Sequence, residues 1–280
     1  MPFIERTGKP TLHYTVDDFT DPWKDAPTLL LAHGFGRSGR FWYNWIPHLA
    51  GDLKIVRPDL RGLGQSTANF NPDDRFTIDD YVADCAAVIH ALGRPVHFCG
   101  ESFGGLLGLE LTARHPDLVK SLTLVATPMR IGPEAQKMMS LGRATWQDAL
   151  AELGALKWAQ AMNGELRFPP GTDPALMTWF AEEMGKSATA SLIAMSRAVP
   201  TANGEAALPK IKVPVLGLYP RQGRSNDSTL MNTLKSGLAN VEIIEIACEY
   251  HTIQMLEPAL LAGHVLAFVS RLEQTPLQTG

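Results

Sequence analysis

Six short apolar runs constrain this chain more than any other feature. Residues 28–32, 54–57, 96–99, 121–125, 213–219 and 241–246 are nearly continuous in apolar character rather than alternating. Strands buried on both faces of a parallel sheet read this way, because helices cover each face. Between two of these runs Ile78, Tyr81, Val82, Cys85, Ile89 and Leu92 recur at helical spacing, which predicts a helix lying on the sheet. Residues 102–115 predict another that stops before Pro116, and 258–272 a last one with Pro258 in its first turn. Strand–helix alternation of this kind predicts an α/β architecture with a doubly wound, mostly parallel sheet.

The alternation breaks between 128 and 207. Helical patterns near 144–162, 174–186 and 188–199 occupy that stretch, interrupted by the turn-rich 163–174 with Pro169, Pro170 and Gly171. The expectation is a core of residues 1–127 and 208–280 with a helical cap, 128–207, inserted at a C-terminal strand edge, where open α/β sheets bind ligands. Seven of the ten methionines fall in the insertion, with Trp146, Trp158 and Trp179. Methionine adapts to varied shapes, so these tryptophans are candidate substrate-binding residues in a lid, or simply pack the insertion.

Composition narrows the function classes. The chain has 280 residues, 45% of them hydrophobic, and a net charge of −4. That supports a folded core and argues against nucleic acid as the partner. No apolar run approaches the roughly 18 residues that suggest a spanning helix, so no membrane partner is expected. Met1–Arg6 carries charge at once, so no signal peptide is expected and the cytoplasm is the expected location. Cys85, Cys99 and Cys248 form neither a disulfide framework nor a zinc spacing. No metal or other cofactor is expected. A small molecule is the expected partner, and a homodimer stays open.

Gly34-Phe35-Gly36-Arg37-Ser38-Gly39 matches the dinucleotide pattern G-x-G-x-x-G, with Asp59 twenty residues beyond Gly39. Arg40-Phe41-Trp42 follows, bulky where that fingerprint needs a helix tight against its strand. The dinucleotide reading is therefore set aside.

Gly100-Glu101-Ser102-Phe103-Gly104, followed by Gly105, stands between an apolar run and a helical pattern. A serine hydroxyl is a weak nucleophile unless it is exposed and given a base. A sharp strand-to-helix turn exposes it, and small neighbours relieve the crowding. The alternative is an ordinary tight turn with a capping serine. His33-Gly34-Phe35-Gly36 follows an earlier run, which makes the Phe35 and Phe103 amides candidates for an oxyanion hole. His33 itself is expected to fix that loop. His251 follows the last apolar run and is the candidate base, since an imidazole titrates near neutral pH.

In these motifs the chain resembles the α/β-hydrolase family, over nearly its whole length. His33-Gly34 resembles the family's oxyanion loop. Pro58-Asp59-Leu60-Arg61-Gly62-Leu63-Gly64-Gln65-Ser66 resembles its P-D-x-x-G-x-G-x-S turn, so the resemblance implies that Asp59 and Arg61 shape a loop. The stretch from His251 to Glu257-Pro258 is similar to its closing segment. The family's triad acid usually stands a few residues after the run 213–219, and no carboxylate occupies that place. Asp227 is the first choice for the residue that orients His251, Glu249 the second, and a dyad without an acid the third.

The resemblance also bears on the reaction. Dehalogenases and epoxide hydrolases of this family carry Asp at the elbow, where this chain has Ser102. Ring-fission C–C hydrolases carry Asn before the serine and Trp after the histidine, where this chain has Glu101 and Thr252. Lactonases of acidic lactones are similar in size and motif order, and for them Arg130, Arg143, Arg167 or Arg197 could pair with a carboxylate. Glu101 is expected to raise the histidine pKa, to read the substrate, or to be solvated. The expectation is a serine hydrolase of a small carboxylic ester or lactone. A C–C or amide hydrolase with the same pair is one alternative, and a ligand-binding protein on a hydrolase scaffold is another.

Overall fold

In the computed structural model the described residues are 2–164, 167–221 and 228–274. Their strands are β1 (Phe3–Ile4), β2 (Leu12–Asp17), β3 (Thr28–Ala32), β4 (Lys54–Pro58), β5 (Val96–Glu101), β6 (Val119–Val125), β7 (Val215–Pro220) and β8 (Val241–Ile246). They form one sheet in the order β1-β2-β4-β3-β5-β6-β7-β8. From β4 to β8 every pairing is parallel, and β2 joins β1 and β4 antiparallel.

The apolar runs become strands because both faces are covered. Leu30, Ala32, Phe98, Leu122 and Leu124 belong to one apolar cluster, and Leu29, Leu31, Cys99, Val125, Leu216 and Leu218 to the other. Successive side chains of a strand point to opposite faces, so a run must be apolar at every position to serve both. β8 departs from this. It lies at the sheet's edge and is half-exposed along most of its length, although its sequence reads as apolar.

A short helix α1 (Ile46–Leu49) precedes β4. Helix α2 (Ile78–Leu92) buries the predicted stripe from Ile78 to Ile89 and half-buries Leu92, opens on a capping box between Thr77 and Asp80, and stops at Gly93, whose φ is 71°. Helix α3 (Phe103–Arg114) follows β5 directly. Between β6 and β7 come α4 (Pro133–Met139), α5 (Trp146–Met162), α6 (Pro174–Gly185), α7 (Thr189–Ala198) and α8 (Gly204–Ala207). The sequence suggested the middle three. Gly154 breaks α5 with a φ of 74°. Helix α9 (Ser228–Gly237) precedes β8, and α10 (Ile253–Leu256) and α11 (Pro258–Gln274) follow it. Among the described residues no helix is long and apolar enough to cross a membrane.

Candidate active site

Ser102 is the residue between β5 and α3, and its backbone stands at φ 54°, ψ −117°. A non-glycine residue there carries on the order of 1–3 kcal/mol of strain. The surroundings hold it in place. Its N–H donates to Val125 O at 2.9 Å, and its carbonyl accepts from Gly105 N and Leu106 N at 3.0 and 3.2 Å. Phe103 opens α3, so its amide has no acceptor within the helix.

Glycine at position 34 is a matter of close approach. A Cβ added there would lie 3.3 Å from Ser102 Cβ and closer still to Glu101, so the 33–36 loop rests directly on the elbow. His33 fixes that loop as expected. Its Nδ1 bonds Gly34 O at 2.9 Å, and its Nε2 accepts from Leu60 N at 3.0 Å. Acceptance at Nε2 requires the neutral ring, and burial pushes the His33 pKa down accordingly. The rejected dinucleotide pattern leads into no α-helix at its end. Residues Gly39–Trp42 make a 3-10 turn with Phe41 and Trp42 buried.

His251 lies between β8 and α10, half-buried, with Nε2 3.5 Å from Glu101 Oε1. Among the described residues it makes no hydrogen bond to Ser102 Oγ, and its carboxylate neighbour is Glu101 rather than Glu249, which is exposed. The neighbouring Thr252 is fully buried, and its hydroxyl donates to Arg167 O between α5 and α6. Asp227 lies outside the described residues.

Glu101 is not solvated. It is 1% exposed and is ion-paired with Arg37, itself buried. A second buried arginine, Arg167, completes a group of charges around His251. Burial, opposed by Glu101 and reinforced by the two guanidiniums, pushes the His251 pKa down to about 4. The imidazole is therefore neutral at neutral pH, the form that accepts a proton. Arg37 and the burial of Glu101 escaped the sequence reading. The available signal was an Arg and a Glu inside two glycine-rich turns that pack together.

The candidate tryptophans separate. Trp146 and Trp158 are buried, and Phe35 packs on both, with ring centroids 4.4 and 5.7 Å away. Trp179 packs instead on Phe41 and Tyr43 and borders an outer cleft with Arg40 and Arg57. Of the other cap arginines, Arg130 pairs with Glu205 and Arg143 with Glu152, and Arg197 is exposed. The loop-shaping residues act as expected. Asp59 accepts from Gly39 N, Gln65 N and His13, and Arg61 pairs with Asp84.

Comparison with known proteins bears on the fold and the family. A putative carbamate hydrolase, RutD, from Agrobacterium fabrum is 27% identical over 270 residues, covering 94% of this chain and all of that protein. A pimeloyl-[acyl-carrier protein] methyl ester esterase from Methylococcus capsulatus is 30% identical over 174 residues, 54% of this chain and 65% of the esterase. The enol-lactonase of Burkholderia xenovorans LB400 superposes with a TM-score of 0.83 at 23% identity, over 96% of this chain and all of the lactonase. The profile of the alpha/beta hydrolase fold matches residues 27–258, and with that span the chain belongs to the α/β-hydrolase family.

Proposed function

We propose that this chain is a serine hydrolase that cleaves a small carboxylic ester or lactone through an acyl-enzyme on Ser102. The observation that carries the reading is the backbone of Ser102, at φ 54° and ψ −117°, with the 33–36 loop packed against it. Nothing in the packing of a strand-to-helix junction requires a serine in that conformation, whereas an exposed nucleophile does.

In the proposed path a neutral His251 takes the proton from Ser102 Oγ as the oxygen attacks the carbonyl. The amides of Phe35 and Phe103 hold the oxyanion. The C–O bond to the alcohol breaks, and His251 returns its proton to the departing oxygen. Water then gives its proton to His251 and its oxygen to the acyl carbon, and the acid leaves as Ser102 regains its proton. In this reading the Ser102–His251 hydrogen bond forms as substrate arrives, since such contacts are often long or unformed in a free enzyme. Asp227 is the proposed residue that orients His251. Residues 128–207 are the proposed cap over a core of 1–127 and 208–280, with Trp146 and Trp158 lining the substrate side. Trp179 is the weakest of the three candidates, because its contacts face the outer cleft.

The relative from Agrobacterium fabrum favours a second reading with the same residues, attack on a carbamate carbonyl. Intact-mass labelling with a fluorophosphonate tests what the two share. One adduct, absent in Ser102→Ala, is expected. No adduct on folded protein would favour a ligand-binding scaffold. Matched ester and carbamate substrates then separate the two readings, and undiminished activity in Asp227→Asn would remove that residue from the path.

A further inference from the structure

Among the described residues the buried charges beside Ser102 do not balance. Arg37 and Arg167 are 4% and 8% exposed, and their guanidinium carbons lie 5.1 and 5.3 Å from the centroid of the same ring, Phe180. Arg37 has Glu101 as its partner. Among the described residues Arg167 has no carboxylate within ion-pair distance. Its Nη1 meets Asn163 Oδ1 at 3.5 Å and Met184 Sδ at 3.6 Å, and its guanidinium also lies over Trp158, 5.7 Å from the centroid. With His251 neutral, two cations face one anion among the described residues. Among the described residues Arg37 Nε and Glu101 Oε1 also lack hydrogen-bond partners.

An uncompensated buried cation costs several kcal/mol, and a fold that retains one without a partner loses stability by it. A packing role does not need the charge, since methionine or leucine would fill the same space. The guanidinium fork is suited to a planar carboxylate. Arg167 is also joined to the base's loop, because Thr252, next to His251, donates to its carbonyl. Phe35 connects it to the elbow, packing on the Trp158 ring that lies beneath the guanidinium.

We propose that Arg167, assisted by Arg37, is the anchor for a carboxylate on the substrate, so that the ester or lactone cleaved at Ser102 is a monoanion. This deepens the hydrolase reading and rests on it for the site of cleavage. At neutral pH the anchor is charged, for burial, reinforced by Arg37, pushes the Arg167 pKa down only to about 9.

The test has two parts that fail separately. Binding is read on Ser102→Ala by intrinsic tryptophan fluorescence with succinate, because Trp158 lies under the guanidinium. Succinate is expected to change the emission in Ser102→Ala and not in Ser102→Ala with Arg167→Met. Kinetics compare monomethyl succinate, which carries the charge on the acyl side, and acetylglycolate, which carries it on the alcohol side, each with a neutral ester of equal length. The wild type should prefer one anionic ester. That preference should fall on the order of 10–100-fold in Arg167→Met, as expected for losing a charge-assisted hydrogen-bonded contact, and recover in part in Arg167→Lys. The melting temperature of Arg167→Met should hold or rise. Equal loss on charged and neutral esters with a lower melting temperature would make Arg167 a packing residue and overturn the proposal. If Arg167→Met does not fold, Arg167→Lys and Arg167→Gln carry the same comparison. Fluorophosphonate labelling without a succinate response would remove the anchor and keep the hydrolase. A succinate response without labelling would do the reverse.

Discussion

Two groups of buried charge in this molecule are built to different standards. In the first, Asp59 Oδ1 accepts from Gly39 N at 2.8 Å and Oδ2 from Gln65 N at 2.9 Å and His13 at 2.8 Å. Arg61 bonds Asp84 at 2.6 and 2.7 Å and Asp80 O at 2.8 Å, and Arg6 also reaches Asp84. No side-chain atom of Asp59, Arg61 or Asp84 is left without a partner. In the second group, Arg37, Glu101, Arg167 and His251, orphaned atoms and an unpaired cation remain among the described residues. Buried polar atoms are normally satisfied, and exceptions need a reason. The first group serves the chain's own turns. The second, among the described residues, is left incomplete, which is what the proposed carboxylate anchor requires.

Mutation should separate the two groups along different axes. The largest expected effect is on activity. Ser102→Ala should lower ester turnover on the order of 10,000-fold or more while its urea midpoint stays near wild type. The next is on stability. Arg61→Met leaves Asp84 with one cation fewer in a buried place and should cost about 3–5 kcal/mol, measured by urea denaturation. Turnover per folded molecule in that variant should change only a few-fold. If Arg61→Met abolished turnover in folded protein, or left the midpoint unmoved, the division between the two groups would be wrong.

Acid should separate them as well. A native-state pKa of about 4 for His251, against about 6.5 unfolded, means the native state binds fewer protons between those values. Its contribution to stability is complete above about pH 6.5 and is lost as pH falls towards 4. His33 has the same sign, since burial lowers its pKa too. For Asp59, burial raises the pKa, but the hydrogen bonds from His13, Gln65 and Gly39 outweigh it, and the net is below the ordinary 3.8. Its contribution is present above that value and is lost as pH falls through the lower native pKa. The acid limb of kcat/KM should accordingly lie well below 6.5. It should move up in Arg167→Met, which removes a cation, and down in Glu101→Gln, which removes the anion. A limb at 6.5 that neither variant moves would detach His251 from this charge group.

Much of the fold was legible because its strands are apolar at every position, and β3 to β7 follow directly from that. The antiparallel start was not. β1 has two residues, and β2 reads Leu-His-Tyr-Thr-Val-Asp, with no run to notice. Ser102 and His251 were legible because each stands at the end of a run, where loops gather. The Arg37–Glu101 pair was not, being 64 positions apart in sequence, and a lone charge in a turn reads as solvated. Arg167 was one of four cap arginines in sequence. Only burial distinguishes it, and burial is a property of the packed helices rather than of the local sequence.

The smallest effect compares the elbow with an ordinary turn. Ser102 and Asn69 both have positive φ, 54° and 59°. Asparagine accepts the left-handed region readily, so Asn69→Gly should change stability by only a few tenths of a kcal/mol. Serine at φ 54°, ψ −117° is outside that tolerant region. Ser102→Gly should therefore be more stable than Ser102→Ala, because alanine keeps the Cβ that makes the conformation costly and glycine removes it. Glycine's greater freedom in the unfolded chain offsets part of the gain, leaving about 1 kcal/mol, or roughly 2–4 °C in the melting temperature of a chain of this size. Differential scanning calorimetry on the three variants reads this directly. Equal melting temperatures for Ser102→Gly and Ser102→Ala would mean that the elbow stores no strain. The conformation of Ser102 would then be a consequence of the surrounding bonds and no longer an argument for a nucleophile.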